Sequence, residues 1–176
     1  MVRPDCGRER LHRRLAHARN FRHLWQLSNR NWQLIVVRPA PDLTVAELYE
    51  VWRIRDVVFA VEQRCDEADV DDIDLRDDCT HLWVADEAGR FKTYLRTYLS
   101  DGVRRVGRVA TTKDARGQGL AGELLDEVLR LWGDSEIALN AQAHLRDWYA
   151  GFGFAVSGPN FVEAGIDHVP MRRPAS

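Results

Sequence analysis

The amino-acid sequence predicts a single mixed α/β domain, and three observations support this class. The chain has 176 residues, enough for one well-filled hydrophobic core and too few for two ordinary domains. Its composition, 45% hydrophobic and 30% charged residues, is typical of a globular protein. Strand-like and helix-like patterns follow one another between residues 32 and 173 without repeats or low-complexity linkers. The predicted order over residues 31–176 is therefore β-αα-β-β-β-α-β-α-β-β.

The domain is expected to begin with a strand that leads into helices. The segment WQLIVVR at 32–38 is apolar and β-branched and precedes two prolines, which predicts a strand. Thr44 with Glu47 three residues later forms the pattern of a capping box, so we expect a helix to begin there. A second helical piece is predicted to extend through Phe59. The aspartate-rich segment 66–78 is predicted to be a loop, because adjacent like charges oppose regular packing.

Three consecutive strands are predicted next, joined by short turns that contain glycine. They are HLWVAD at 81–86, FKTYLRTYL at 91–99 and VRRVGRVATT at 103–112. Gly89 lies in the first turn and SDG at 100–102 forms the second. Turns this short favour an antiparallel meander.

The last part of the domain is predicted to alternate between helices and strands. An apolar stripe at helical spacing predicts a long helix after residue 119; its members are Leu120, Leu124, Leu125, Val128, Leu129 and Trp132. A strand at 137–141 and a short helix at 144–152 follow. Two closing strands are expected at 154–158 and 166–173.

The N-terminal segment differs from the rest of the chain in charge. Residues 1–30 contain eight arginines against Asp5 and Glu9, a net charge of about +6, so the remainder carries about −8. We expect a basic, poorly ordered extension at 1–30, since termini often lack order. A basic arm can also contact nucleic acid or membranes. The acidic remainder argues against a nucleic-acid partner, and no window approaches the ~18 apolar residues of a membrane span.

The cysteines argue against disulfides and against a metal site. There are three, Cys6, Cys65 and Cys79, an odd number without a C-x-x-C pair. The N-terminus also lacks the apolar segment of a secretory signal. We therefore expect a reduced, cytoplasmic protein that holds no metal.

The segment TTKDARGQGLAGELL at 111–125 is typical of a phosphate-binding loop. Gly117, Gly119 and Gly122 form G-x-G-x-x-G, the dinucleotide-binding pattern, while Arg116, Gly119 and Ala121 form R-x-x-G-x-A, an acyl-CoA pattern. The polar spacer TTKDAR separates the strand from the first glycine, and no carboxylate ends the next strand. Both features disfavour the dinucleotide interpretation. A P-loop is excluded because no Gly-Lys-Ser/Thr follows.

Four segments in this order resemble the GNAT superfamily of N-acetyltransferases, and within it the ElaA-like branch. They are VVFAVEQRC, GRVATTKDARGQGLAGELL, LNAQAHLRDWYAGFGF and EAGIDHVPM. The resemblance covers roughly residues 32–173. It implies the GNAT fold, in which a mixed central sheet splays open between strands 4 and 5, and it implies acetyl-CoA as co-substrate.

The resemblance also implies which residues hold acetyl-CoA. The backbone groups of Val109 and Thr111 would bind the pantetheine arm, and Asn140 would contact it from across the splay. The pyrophosphate would be bound by Arg116, Gly117, Gln118, Gly119, Ala121 and Gly122.

Candidate catalytic residues are a tyrosine and three possible bases. Tyr149 matches the tyrosine that the superfamily often uses as general acid for the departing thiolate, although its aromatic neighbours alone predict a core residue. The amine must lose a proton before it attacks, and Glu62, His81 and His168 are candidate bases. Each is equally explained as a surface glutamate or a hydrogen-bonded histidine, and a water relay needs no single base.

The sequence leaves the acceptor open. The acidic residues Asp66, Glu67, Asp69, Asp71 and Asp72 could attract a cationic amine, or could simply be a solvated loop. We expect direct transfer of acetyl to a primary amine in a ternary complex, by a monomer or a homodimer. The alternatives are a module that binds acyl-CoA without turnover and a nucleic-acid-binding protein.

Overall fold

A computed structural model describes residues 34–65 and 67–176 of the chain. Within them, eight strands form one mixed sheet in the order β1-β2-β3-β4-β5-β8-β6, with β7 paired to β8. The strands are β1 (Val36–Pro39), β2 (Thr80–Ala85), β3 (Phe91–Ser100), β4 (Val103–Thr111), β5 (Ile137–Gln142), β6 (Ala155–Val156), β7 (Phe161–Glu163) and β8 (Ile166–Arg173). The predicted mixed α/β class is confirmed.

Three α-helices accompany the sheet in this part of the chain. They are α1 (Val45–Arg55), α2 (Leu120–Trp132) and α3 (Arg146–Ala150). Single 3₁₀ turns lie at Ala40–Asp42, Asp72–Leu75, Lys113–Ala115 and Ala143–Leu145. Over the described ranges, no helix combines the length and the apolar character needed to cross a membrane.

Helix α1 begins at the predicted capping box and ends in a widened turn. The Glu47 N–H donates to Thr44 Oγ1 at 3.2 Å, and the Thr44 N–H donates to Glu47 Oε2 at 2.8 Å. After Arg55 the helix continues as a π-helical segment, Asp56–Glu62, which ends where the Gln63 N–H donates to the Val58 carbonyl at 3.1 Å. Such wide turns are frequent at functional sites.

The hydrophobic core lies on both faces of the sheet. On one face, Val51 and Ile54 of α1 pack with Trp83, Phe91 and Tyr94. Because side chains alternate along strands, the neighbouring residues of β2 and β3 point to the other face. Helix α2 contacts β2, β3 and β4 there through its buried stripe. This stripe matches the predicted one except that Leu131 is buried and Leu129 only half-buried.

Strands β4 and β5 are parallel neighbours for only two residue pairs. Arg104 pairs with Ile137 and Arg105 with Ala138, after which the strands separate. The predicted splay between strands 4 and 5 is therefore present. A β-bulge lies on β4 at the same level, because Arg96 pairs with Gly107 whereas Tyr94 pairs with Ala110.

The closing strands differ from the prediction. Strand β7 was not predicted, and the strand expected at 154–158 is only the two residues of β6. The β7–β8 hairpin turns at Ala164 and Gly165, both with positive φ, 50° and 74°. An alanine in this conformation is uncommon. The hairpin escaped prediction because the turn lacks the Asn-Gly type of pair that predicts it. The predicted basic extension at 1–30 lies outside the described residues.

Candidate functional site

The edge of β4 that faces β5 lacks a strand partner beyond the bulge. Before the bulge, the Arg104 N–H donates towards β5, to the Glu136 carbonyl at 3.3 Å. After it, the Thr112 N–H donates to the Lys92 carbonyl at 2.9 Å, on the β3 side. Backbone N–H groups alternate along a strand, so those of Val109 and Thr111 point away from β3 and into the splay. These are the two residues predicted to bind a pantetheine arm.

Asn140 on β5 forms the opposite wall of the splay. Its partner on β8 is Pro170, which has no N–H and whose carbonyl accepts from the Ser157 N–H at 2.9 Å on the far side. Asn140 and Pro170 therefore form a pair without mutual hydrogen bonds, and the Asn140 backbone points towards β4. Its side-chain Oδ1 accepts from Arg105 Nη2 at 3.4 Å.

The glycine loop connects the open edge of β4 to helix α2. Gly117 and Gly119 have φ values of 73° and 83°, and at neither position would a Cβ atom meet another atom within 4 Å. The first hydrogen bond of α2 joins the Glu123 N–H to the Gly119 carbonyl at 3.1 Å. The N–H groups of the residues between them precede the first complete turn. Such groups at a helix N-terminus bind anions well, so a pyrophosphate fits here.

Two residues of the predicted pyrophosphate loop also make contacts within the protein. A Cβ atom on Gly122 would lie 3.3 Å from the Phe152 ring, so this glycine permits close packing at α2. The side chain of Gln118 donates to the Asp114 carbonyl at 2.9 Å. Ala121 lies in the first turn of α2. Their backbone N–H groups still face the N-terminal end of the helix.

Arg116 forms a two-pronged ion pair with Glu62. Its Nη2 donates to Glu62 Oε2 at 2.8 Å, Nη1 donates to Oε1, and Nε donates to the Thr111 carbonyl at 3.2 Å. The hydrogen bond from Arg116 holds the pKa of the Glu62 carboxyl below its usual value. Glu62 is therefore a weaker base than a free glutamate. It also does not line the cavity described next, which argues against its predicted role as the base.

A cavity of about 250 Å³ lies at the mouth of the splay. It is enclosed by the end of the π-helical segment, the loop at 63–69, strands β3 to β5, and the β7–β8 hairpin. Its lining includes Phe59, Gln63, Cys65, Glu67, Tyr98, Arg105, Val109, Asn140, Tyr149, Glu163 and His168. The cavity thus brings Tyr149 and His168 together with the open edge of β4.

Tyr149 contributes its side chain to the cavity wall. The residue is only 5% exposed, and its ring meets Trp148 and Phe154 edge-on at centroid distances of 4.7 and 6.1 Å. Burial raises the pKa of the Tyr149 phenol, so the hydroxyl stays protonated at neutral pH. Both sequence interpretations, aromatic packing and proton donation, are compatible with this position.

His168 has a hydrogen bond that selects its tautomer. Its Nδ1 lies 2.8 Å from the Ile166 carbonyl, which can only accept. The neutral ring therefore carries its proton on Nδ1 and a lone pair on Nε2. Phe161 stacks on the ring at a centroid distance of 5.7 Å. Of the three candidate bases, His168 is the one that lines the cavity.

His81 lies in the core and cannot reach an acceptor. It is fully buried, with Nδ1 2.8 Å from the Tyr94 hydroxyl and Nε2 3.0 Å from the Asp74 carbonyl. Burial lowers the pKa of the imidazole. Both ring nitrogens already have partners, so this geometry argues against the predicted role of His81 as a base.

The aspartate-rich segment is not a solvated loop at its centre. Asp74, 1% exposed, bonds to Arg55 Nη1 at 2.6 Å and to Arg96 Nη1 at 2.6 Å. Arg96 also bonds to Asp71 at 2.6 Å, and Arg55 to Asp69 at 2.7 Å. Burial alone would raise the pKa of Asp71, but the hydrogen bond from Arg96 holds it below its usual value. These carboxylates fasten the loop to α1 and β3.

The other acidic residues of the segment are placed differently. Asp69 also pairs with Arg108 of the bulge at 2.8 Å. Glu67 and Asp72 are exposed, and Glu67 accepts from the Ala164 N–H at 3.0 Å. Asp66 lies outside the described residues. Steering of a cationic amine by this segment stays a prediction, carried mainly by the exposed members.

Several cavity residues were not predicted from the sequence, among them the charged residues Arg105 and Glu163. Neither has an ion-pair partner among residues 34–65 and 67–176, although both line the cavity. The isolated Gly107 in a strand pattern could have indicated the bulge, and with it a functional role for the arginines on either side.

Comparison with known proteins agrees with this architecture. A family described as "Acetyltransferase (GNAT) domain" matches residues 58–174. A UPF0039 protein of Mycobacterium tuberculosis is 40% identical over 141 residues, which cover 78% of this chain and 90% of the relative. Protein ElaA of Escherichia coli is 35% identical over 141 residues, covering 75% and 90%.

Two solved structures are similar in both sequence and fold. An acyl-CoA N-acyltransferase from Pseudomonas aeruginosa has a TM-score of 0.76 and 36% identity, covering 81% of this chain and 99% of its own. The Escherichia coli ElaA structure has a TM-score of 0.74 and 31% identity, covering 80% and 98%.

Proposed function

Because this chain belongs to the GNAT acetyltransferase family, we propose that it transfers acetyl from acetyl-CoA to a primary amine. One observation supports this most directly. The unpaired edge of β4 borders the cavity and leads, through the loop at 112–119, to the N-terminus of α2. Acetyl-CoA has a thioester at one end of its pantetheine arm and a pyrophosphate at the other. The cavity would hold the thioester, and the helix N-terminus would hold the pyrophosphate.

The residues present fit such a co-substrate. Arg116 and the N–H groups from Gly117 to Gly122 supply donors for the pyrophosphate, and the open space over Gly117 and Gly119 lets it approach the backbone. Val109 and Thr111 offer N–H groups to the pantetheine amides, with Asn140 across the splay. To bind a pyrophosphate, Arg116 must leave Glu62 or be shared with it.

His168 and the β4 backbone carry the proposed chemistry. His168 Nε2 accepts a proton from the acceptor amine, whose nitrogen then attacks the thioester carbon. The N–H of Val109 donates to the carbonyl oxygen as negative charge develops there, an interaction that contributes ~3–4 kcal/mol in other acyl transfers. The new C–N bond forms as the C–S bond breaks. Tyr149 donates its hydroxyl proton to the departing sulfur.

Calorimetric titration with acetyl-CoA and, separately, with NAD tests the ligand of the loop. We expect micromolar binding of acetyl-CoA and none of NAD. Binding of NAD alone would mean that the glycine spacing, and not its context, identifies the ligand. Release of the coenzyme A thiol in the presence of an amine panel then separates an enzyme from a module that binds acyl-CoA without turnover.

We also propose a cytoplasmic location, which the odd number of cysteines supports.

His168→Gln tests the base. Glutamine keeps a polar side chain but cannot take a proton, so we expect kcat to fall by about 100-fold or more with acetyl-CoA affinity unchanged. His144→Gln is the matched control, because His144 does not line the cavity. Equal rates for both variants would indicate that water or another group removes the proton.

Tyr149→Phe tests the acid. The substitution removes only the hydroxyl and preserves the aromatic contacts with Trp148 and Phe154. We expect kcat to fall by about 100-fold while the melting temperature stays near that of the unmodified protein. A variant with full kcat towards a reactive amine would identify Tyr149 as a packing residue.

A further inference from the structure

The charges in the cavity are arranged with opposite signs at its two ends. Arg105 lies on β4 at one end, and Glu163 lies on the β7–β8 hairpin at the other. Within the described parts of the chain neither forms an ion pair, in contrast to Arg96, Arg108 and Asp69, which line the same cavity and are paired. A second carboxylate, Glu67, accepts from the Ala164 N–H at the same hairpin end. The charges available to a bound molecule are therefore one cation on β4 and carboxylates at the hairpin, held apart.

Strand register places these groups on one face of the sheet. Arg105 pairs with Ala138, so the two side chains lie on the same face of the sheet. Side chains two residues apart on β5 share a face, so Asn140 and Gln142 lie on it as well. His168 pairs with Gln142, and further along the hairpin Glu163 pairs with Ile166 on the same face. The floor of the cavity thus runs from Arg105 through Asn140 and His168 to Glu163.

The spacing along this floor is short. Arg105 Nη2 reaches the Asn140 side chain at 3.4 Å. His168 lies one strand over and two residues along from Asn140, so their Cα atoms are roughly 8 Å apart. Because these side chains leave the same face of the sheet, a ligand hydrogen-bonded at both ends has its two polar groups only a few covalent bonds apart.

A polycation fits this distribution poorly. The aspartate-rich segment suggested a cationic acceptor. Its central members, Asp69, Asp71 and Asp74, are instead bonded to Arg55, Arg96 and Arg108. A second amine at the β4 end would also meet the Arg105 guanidinium, and like charges repel there.

We propose that the acceptor is a free α-amino acid, whose carboxylate Arg105 binds while its amino group lies between His168 and Glu163. This inference rests on the proposed function and names the acceptor class for the same site. Arginine binds carboxylates in a bidentate manner, and the unpaired Arg105 offers that geometry next to Asn140. Glu163 stabilises the ammonium form on arrival. This ion loses one proton to solvent, and His168 Nε2 takes the second as the nitrogen attacks.

The test is calorimetric binding of matched pairs to the protein saturated with coenzyme A, where no transfer can occur. The pairs are leucine with isoamylamine, phenylalanine with phenethylamine, and lysine with cadaverine. We expect at least one amino acid to bind about 10- to 100-fold more tightly than its amine, the range of a charge-assisted hydrogen-bond pair.

Two variants locate the effect. Arg105→Gln should remove that advantage and leave the affinity of the plain amine unchanged, whereas Arg105→Lys should retain part of it. Arg172→Gln is the control, since Arg172 lies on the same sheet face, pairs with Glu136 and does not line the cavity. Thermal unfolding of each variant shows whether the fold is retained.

Several results would overturn the proposal. The first is that no amino acid binds, and the second is that each amine binds as tightly as its amino acid. The third is that Arg105→Gln weakens only the binding of malonyl-CoA or succinyl-CoA, which would place the carboxylate on the acyl group. Turnover separates this failure from failure of the proposed function. If amino acids bind in an Arg105-dependent way but no thiol is released from acetyl-CoA, the acceptor class is supported and the proposed acetyl transfer is wrong. If plain amines are acetylated as fast as amino acids, acetyl transfer is supported and the acceptor class is wrong.

Discussion

The aspartate-rich loop at 67–78 and the glycine loop at 112–122 use their polar groups in opposite ways. In the aspartate loop the central carboxylates, Asp69, Asp71 and Asp74, are bonded to arginines of α1, β3 and the β4 bulge. In the glycine loop, backbone N–H groups at the start of α2 face open space over Gly117 and Gly119.

This difference separates structural charge from functional polarity. A carboxylate that is already paired in the interior can bind a ligand only by giving up its partner, which is costly. A backbone N–H at a helix N-terminus has no partner to give up. Charge density in a sequence is therefore a weaker indicator of a binding site than the number of polar groups that the fold leaves unsatisfied.

The largest effect is expected when the aspartate loop loses its central carboxylate. Asp74→Asn leaves the guanidinium groups of Arg55 and Arg96 buried without their shared anion, and we expect a loss of about 3–5 kcal/mol in the free energy of unfolding. Denaturant titration measures it. Asp72→Asn, an exposed change in the same loop, should stay within about 0.5 kcal/mol. A loss of less than about 1 kcal/mol in Asp74→Asn would contradict the structural role given to the aspartate loop.

A change in the glycine loop should instead abolish binding. In Gly119→Val, the positive φ strains a β-branched residue and the side chain occupies the space intended for the pyrophosphate. We expect acetyl-CoA affinity to fall at least about 100-fold, with a stability cost of about 1–3 kcal/mol.

Gly89→Val provides the matched control for that change. Gly89 lies in the β2–β3 turn with φ of 77° and equally open surroundings, so the strain is similar and the site is untouched. Its stability should fall comparably while acetyl-CoA affinity stays constant. Retained affinity in Gly119→Val, measured by calorimetry, would break the functional half of the comparison.

Local patterns were sufficient to predict most of the fold. The Thr44–Glu47 capping box, the leucine stripe of α2 and the alternation in β2 to β4 each depend on near neighbours in the chain. The glycine loop was equally legible, because Gly117 and Gly119 are required by backbone conformation itself.

The features that escaped prediction depend on distant residues. Asp74 meets Arg96 across 22 positions of sequence, and Arg105 meets Asn140 across 35. His81 and His168 have similar strand contexts, and only the tertiary structure buries one and directs the other to the cavity. Sequence spacing supplies no information on such pairings, so charge in the aspartate loop could be interpreted as either solvated or functional.

The smallest effect is expected at Glu62, where the two kinds of group meet. Glu62 holds Arg116, the one charged side chain predicted to bind the pyrophosphate, in an ion pair near the protein surface. Exposed ion pairs contribute little to stability, but this one competes with the ligand for the same guanidinium. Glu62→Gln weakens that competition, so we expect acetyl-CoA to bind about two- to fivefold more tightly by calorimetry. The kcat should be unchanged, since Glu62 does not line the cavity. A kcat that falls about 100-fold would restore Glu62 as the base. Weaker binding would instead show that Glu62 positions Arg116 for the ligand, and the glycine loop would then depend on a paired carboxylate after all.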